Sequence, residues 1–428
     1  MRIRFTGLWT HPDFLKLWFG QTISEFGSRI TRDGLPLAAV LVLGASPAQM
    51  GILRAVSSLP VLVFGLFAGV LVDRLPRRPV MIACDLVRLC VLLTIPFAAL
   101  TGSLSMPLIY VVSALMAVLA LIFDIAYRAY LPSLIDRAYL TEGNAKLSTT
   151  DALAEIGGPA LTGLLIQVMS APSALLFDSF SFLFSVVSVS AIRTPEPPPV
   201  RTDPGQEGGV AVTRELREGI ARISGDPLLL TLAVGTGLRA FFGNFIGTLY
   251  DLFTVRELGL SPLTLGLLVA CGGIGALIGA GVATTISRRI GTGYAIIGAL
   301  IISGLVNLLI PLAADMPGLS LAMLVAAQII GDGAMMVYWI NEVSLRQTLV
   351  ADHLLGRVNA GFGFLGEGLS VFGALAAGAL ATGIGTRLTL WAAVLGILCS
   401  ALGMGFSPLK RLNTVKPVEM ENDKGVRG

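Results

Sequence analysis

Residues 69–81 read GVLVDRLPRRPVM, a short charged turn between two long apolar runs. Three arginines (Arg74, Arg77, Arg78) crowd into five residues there. A loop this short and this basic between membrane-length segments marks a cytoplasmic turn, because cytoplasmic loops retain Lys and Arg. That accounts for the arginines. It leaves Gly69 and Asp73, set at fixed spacing ahead of them, unexplained.

The rest of the chain agrees with a lipid setting. Of 428 residues 54% are hydrophobic and 13% charged, with a mean hydropathy of +0.81; soluble domains carry about 25% charge. Twelve apolar runs, centred near residues 30, 60, 90, 115, 157, 182, 240, 274, 302, 329, 370 and 397, each approach the ~20 residues that cross a bilayer as a helix. The expectation is an all-α polytopic membrane protein with twelve transmembrane helices in two six-helix bundles. The opening MRIRFTGLWTHPDF lacks the apolar core and cleavage site of a signal peptide.

Charge placement orients the chain. With the N-terminus inside, twenty Lys and Arg fall in inner loops, from Arg2 and Arg4 to Lys410 and Arg411, against Arg256 and Arg387 outside. Both termini are therefore expected in the cytoplasm of a cell whose inner or plasma membrane holds the protein. Cys84, Cys90, Cys271 and Cys399 lie in apolar segments without CxxC spacing and read as small buried residues. His11 and His353 are too far apart for a metal site. No metal, cofactor or nucleic-acid partner is expected, and no phosphate loop, nucleophile motif or paired His/acid cluster argues for an enzyme.

The chain divides in the middle. RTPEPPPVRTDPGQEGGVAVTRELREGIARISGD (193–226) begins as a Pro/Gly-rich linker, and from Val212 to Ile223 it alternates apolar and charged residues at helical spacing, predicting an amphipathic helix at the inner surface. The expected units are an N-terminal bundle (1–192), this linker (193–226), a C-terminal bundle (227–410) and a cytoplasmic tail (411–428). The halves echo one another. LTEGNA (140–145) and LGRVNA (355–360) share Leu, Asn and Ala at an offset of 215, which also pairs Pro12 with Pro227, Gly20 with Gly235, Gly158 with Gly373 and Gly163 with Gly378. Arg77–Arg78 match Arg288–Arg289 at an offset of 211. Parallel repeats around a midplane site are a transporter architecture.

The skeleton of residues 69–81 resembles the loop signature of the major facilitator superfamily, G-x-x-x-D-R-x-G-R-[RK], with Pro76 in place of the second Gly. The resemblance implies a cytoplasmic gate. Asp73 would sit near a helix N-terminus of the other half, where a helix dipole stabilises a carboxylate, with the helix beginning near Gly356 as partner. Gly69 and the arginines would complete the motif, the arginines bridging neighbouring helices. EIGGPALTGLL (155–165) looks like the end of the superfamily's exporter motif G-P-x-x-G-G, with Gly158, Pro159 and Gly163 matching and Thr162 departing; close helix packing explains the same residues. The arginine that many proton antiporters carry near the start of the fourth span is missing from SMPLIYVVSALMAVL. Together with FLKLWFGQTISEFGSRITRDGLPL, LGRVNA and the Pro-rich centre, these stretches are similar to the branch containing enterobactin exporters and macrolide efflux proteins.

The first span, SEFGSRITRDGLPLAAVLVL (24–43), packs Glu25, Arg29, Arg32 and Asp33 into nine residues. At about 100° per residue, Arg29 lies roughly 40° and Asp33 roughly 80° from Glu25, and Arg32 about 20° the other way. One narrow face holds all four, with Glu25–Arg29 and Arg29–Asp33 at ion-pair spacing. Facing lipid they would cost roughly 10–14 kcal/mol together, so the face is expected to line a cavity or meet the other half. It reads either as a transport pathway or as an ion-pair cluster locking helices.

Further intramembrane candidates are Asp124, Asp151, Glu155, Asp178, Arg239, Asp251, Asp332, Glu342 and Glu367. Asp151 and Glu155 share a face one turn apart, a spacing at which carboxylates influence each other's protonation. Glu367 and Asp332 are expected deepest; Asp124, Asp151, Asp251 and Glu342 are equally compatible with interfaces. Asp85 and Arg88 read as a structural pair. The expected function is export of an amphipathic small molecule, of drug or siderophore class, by a monomer coupled to protons. An importer, a lipid translocator and a non-transporting receptor remain open alternatives.

Overall fold

The first helix of each half opens on a capped proline. His11 Nδ1 accepts from Phe14 N at 3.1 Å ahead of Pro12, and Asp226 Oδ1 accepts from Leu228 N and Leu229 N at 2.9 and 3.3 Å ahead of Pro227. Both satisfy amides that a helix start leaves free. The two caps lie 215 residues apart, as the sequence repeat does.

The computed structural model describes residues 7–197 and 208–411, with the side chains at 66–71, 73, 208–213 and 411 outside that description. The N-terminal half holds α1 (Pro12–Leu41), α2 (Pro47–Asp73), α3 (Arg77–Leu100), α4 (Met106–Leu134), α5 (Leu140–Val168) and α6 (Ala171–Ser190). After α7 (Gly208–Ser224), the second half holds α8 (Pro227–Arg256), α9 (Pro262–Ile290), α10 (Thr292–Asn307), the short α11 (Leu309–Leu312), α12 (Ser320–Leu349), α13 (Asp352–Ile384) and α14 (Thr386–Gly405). Each of the twelve expected span centres falls in a long helix. Among the described residues ten helices are long and apolar enough to cross a membrane. The two others, α1 and α5, have the length, 30 and 29 residues, but carry the charged face and its partner.

The amphipathic helix begins four residues earlier than the alternation from Val212 suggests, because Gly208 to Ala211 also take helical backbone. It does not lie free on a surface. Gly219 packs directly on the backbone of Arg357 and Val358 at the start of α13, and Arg357 Nη1 pairs with Glu218 at 2.7 Å. The other half repeats this with the charge changed: Glu142 of LTEGNA accepts from Leu8 N at 3.3 Å. The two repeated hexapeptides thus anchor the segment ahead of each half's first helix. Residues 198–207 of the linker and 412–428 of the tail lie outside the described residues.

One apolar core runs through both halves at the end where α1 joins α2, α8 joins α9 and α13 joins α14, and includes Leu37, Met50, Leu53, Leu249, Leu265 and Ala377. At the other end each half keeps its own core, one around Leu17, Met81 and Tyr130 and one around Leu229, Tyr338 and Val358. The molecule is sealed at one end and parted at the other. Two glycine seams make the seal. On α5, Gly163 lies against Pro262 O of α9, and Gly266 lies against Pro159 O. On α13, Gly378 lies against Pro47 O of α2, and Gly51 against Ala374 O. Every partner in one seam is displaced by 215 residues from its counterpart in the other. Only glycine leaves room, because any Cβ at these positions would overlap a neighbouring backbone oxygen.

Candidate substrate cavity

The charged face of α1 opens on a cavity of about 650 Å³ between the halves, with an apolar floor of Leu37, Met50, Leu53, Leu265 and Ile310 toward the sealed end. Glu25, Arg29, Arg32 and Asp33 all line it, as do Asp124 of α4, Arg239 and Asp251 of α8 and Asp332 of α12. A proline inside α1, Pro36, follows the charges and also lines the cavity.

The pairing along α1 differs from the expectation. Arg29 does not bridge Glu25 and Asp33; its guanidinium pairs with Glu155 of α5. Arg32 reaches the other Glu155 oxygen at 3.0 Å and Asp33 at 3.4 Å. Gly158, one turn beyond Glu155, has no Cβ to hold the helices apart, so Arg29 Cβ and Cγ rest on it. The arginine stem therefore lies across α5 and its head falls on Glu155 rather than on an acid of its own helix. Glu25 enters no ion pair among the described residues. Asp151 and Glu155 do not act as a carboxylate pair either: Glu155 is engaged by both arginines, and Asp151 is exposed and does not line the cavity.

The offset of 215 finds this clasp again. Arg29 and Glu155 become Asn244 and Ser370, and Asn244 Nδ2 donates to Ser370 Oγ between α8 and α13. A duplicated helix clasp is ionic in the N-terminal half and neutral in the other. Arg54 of α2, which the sequence reading passed over, crosses between halves with its Nε donating to Asn244 Oδ1 at 3.5 Å. Its charge lies near those of Asp251, Asp33 and Glu367 and near the like charge of Arg32. Carrying the offset from glycines to polar residues would have exposed the clasp, while a single Arg in an apolar run gave no comparable signal.

The remaining candidates sort by surroundings. Asp332, expected deep, is exposed to the cavity, and its Oδ2 leans over Gly272 of α9 beside Gln328. Glu367 is half-buried and outside the lining. Asp251 is a cavity group rather than an interfacial one. Glu342 is 3% exposed and faces Arg346 at 3.7 Å, so it is a core pair. Arg239 stacks over Trp339 and Tyr338 at 5.3 and 5.7 Å. Arg88 lies 3.4 Å from Asp85 and sits over the rings of Phe123 and Phe182, as its structural reading implies.

The loop signature can be followed only in part, since the side chains of Gly69 and Asp73 lie outside the described residues. Arg74 is exposed. Arg78 donates to Val189 O and Ser190 O at 3.1 and 2.7 Å, holding the end of α6. Glu196, just past α6, accepts from Arg77 N and Arg78 N at 2.7 and 3.1 Å at the start of α3. Here a carboxylate does meet a helix N-terminus, and it comes from the start of the linker rather than from the other half. Asp13 fixes the same exit from the other side, its Oδ2 accepting from Arg193 N, Thr194 N and Thr194 Oγ1. Gly158, Pro159 and Gly163 of the exporter-like stretch lie at α5 contacts, with α1 for the first and in the α9 seam for the others.

A family model described as Major Facilitator Superfamily matches residues 17–366. The chain is 27% identical over 417 residues to the multidrug efflux pump Tap of Mycolicibacterium fortuitum, covering 93% of this chain and 96% of that one. It is 24% identical over 269 residues to macrolide efflux protein A of Streptococcus pyogenes, covering 62% and 64%. Among solved structures, a bacterial homologue of the iron transporter ferroportin in an inward-facing state superposes with a TM-score of 0.74 at 16% identity, covering 92% and 97%. These matches are transporters, in keeping with a chain read as something other than an enzyme.

Proposed function

The chain belongs to the Major Facilitator Superfamily, an integral membrane transporter, and from that premise we propose that it exports an amphipathic small molecule of drug or siderophore class by proton antiport with alternating access. The observation that carries this reading is the cavity: apolar at its sealed floor, charged on both walls, and bounded by two halves that share a core at one end only. An amphipathic solute finds there both an apolar surface and fixed charge, which is the usual composition of a small-molecule site. The named efflux relatives make drugs the first solutes to try.

In this mechanism residues 1–192 rock against 227–410, with 193–226 as the connection. The sealed end faces outward, supported by the position of Arg256 and Arg387 there and of the other loop cations at the parted end. The two glycine seams then separate as the cavity turns outward. Glu25, Arg29, Arg32, Asp33, Asp124, Arg239 and Asp332, which line the cavity, bind solute or couple it to protons, with Glu155 holding Arg29 and Arg32 in place. Gly69, Asp73 and the loop arginines gate the parted end. The protein works as a monomer with both termini in the cytoplasm. The test is drug flux in everted membrane vesicles. Accumulation driven by an inside-acid gradient supports export, whereas depletion under that gradient would establish import, and no flux of drug or siderophore in either direction would overturn the solute class proposed here.

A further inference from the structure

The most deeply buried carboxylate between the helices belongs to none of the groups just assigned. Asp178, in the middle of α6, is 0% exposed. Its Oδ2 accepts from Thr31 Oγ1 of α1, and its Oδ1 lies 2.9 Å from Ser181 Oγ, which can give its own proton to Asp178 O at 2.8 Å and so accept one from the carboxyl. It is wedged into a seam of small residues where α1 runs antiparallel to α6. Gly20 meets Ser188, Gly27 meets Ser181 and Asp178, and Gly34 meets Leu175.

Every charge on the packed helices is otherwise engaged or directed elsewhere. On α3, Arg88 is paired with Asp85, and the two are 5% and 1% exposed. On α1, Arg29 and Arg32 turn away to Glu155 of α5, while Glu25 and Asp33 face the cavity and Asp151 of α5 is exposed. No ion pair reaches Asp178 among the described residues. Asp85, Arg88 and Asp178 thus make a buried set with two acids and one base at the cavity's edge. A second carboxylate charge there would have neither water nor counter-ion, an arrangement that proteins avoid by keeping the acid protonated.

We propose that Asp178 is the proton-carrying group of the transport cycle: it holds a proton while α1 and α6 are closed on each other and releases it when α1 shifts and admits water from the cavity. The step is a simple ionisation, the carboxyl O–H giving its proton to cavity water. The proposal rests on the proton-antiport reading above and replaces the α1 arc with Asp178 as carrier. Asp178 borders the cavity behind Thr31. The element that covers it, α1, also carries the Arg29–Glu155 clasp, so solute binding at that clasp and proton release share one moving helix.

The full chain, purified with carboxyl-labelled aspartate, is examined by isotope-edited infrared spectroscopy, and the distance between spin labels on the two halves at the parted end is followed against pH. The expected results are a protonated-carboxyl band at neutral pH that is lost in Asp178→Asn, and a pH-dependent distance in wild type that becomes flat in that variant. If wild type itself is indifferent to pH, proton antiport fails as a whole. If wild type titrates and Asp178→Asn titrates identically, with the titration lost instead in Glu25→Gln or Asp33→Asn, only the assignment to Asp178 is overturned. Gly27→Ala serves if Asp178→Asn does not fold. Its Cβ would lie 2.5 Å from Asp178 Oδ1 and 2.7 Å from Ser181 Cβ, prising α1 from α6 at the carboxyl while leaving every titratable residue in place. Loss of the band is expected, and a band as strong as in wild type overturns the proposal.

Discussion

Replacing the ionic clasp of the N-terminal half with the neutral one of the C-terminal half tests how the charges in the first span are held. Glu155→Ser alone leaves Arg29, whose side chain is 16% exposed, without its carboxylate. The uncompensated guanidinium should destabilise the protein by about 2–3 kcal/mol. Arg29→Asn alone leaves Glu155, half exposed and still paired with Arg32 at 3.0 Å, so the loss should be only about 1 kcal/mol. The double variant recreates the Asn–Ser pair found at Asn244 and Ser370. It should be about as stable as Arg29→Asn alone, a coupling of about 2–3 kcal/mol. Melting midpoints in detergent for the four proteins give the cycle, each kcal/mol corresponding to roughly 2–4 °C for a unit of this size. Losses that simply add in the double variant, or an Arg29→Asn protein less stable than Glu155→Ser, would refute the pairing. Arg29→Ala combined with Glu25→Gln should show no coupling, because Glu25 is not the partner.

Gly51→Val and Gly266→Val, equivalent positions in the two seams, should weaken the sealed end alike, raising thiol labelling of cysteines placed beneath it several-fold; labelling that rises in one and not the other would mean the seams are not equivalent. Asp13→Ala removes the acceptor shared by Arg193 N, Thr194 N and Thr194 Oγ1, and should cost about 1–3 kcal/mol while speeding proteolysis at 193–197. Asp73→Asn should insert normally but transport more slowly, and wild-type rates in vesicles would end the gate assignment. Arg54→Gln keeps a donor for Asn244 but removes the positive charge near Asp33, Asp251 and Glu367; binding of tetraphenylphosphonium should tighten several-fold, read by equilibrium dialysis.

The sequence by itself determined the class of fold and the region of the site. Apolar runs of bilayer length and one-sided loop cations follow from the solvent alone, since lipid demands internally bonded helices and excludes charge. The same cost placed Glu25, Arg29, Arg32 and Asp33 on a cavity, because helical periodicity is local. The repeat at 215 residues was legible in glycines and prolines. Which acid each arginine meets was not. Glu155 is more than a hundred residues from Arg29, and it outcompetes the acids on α1 because Gly158 lets α5 come close enough. Nor could spacing separate Asp178 from Asp332, both single acids in apolar runs. The α1–α6 seam buries one completely, and the parting of the halves leaves the other open to the cavity. Sequence sets what a helix cannot bury in lipid; packing between distant helices decides what it buries in protein.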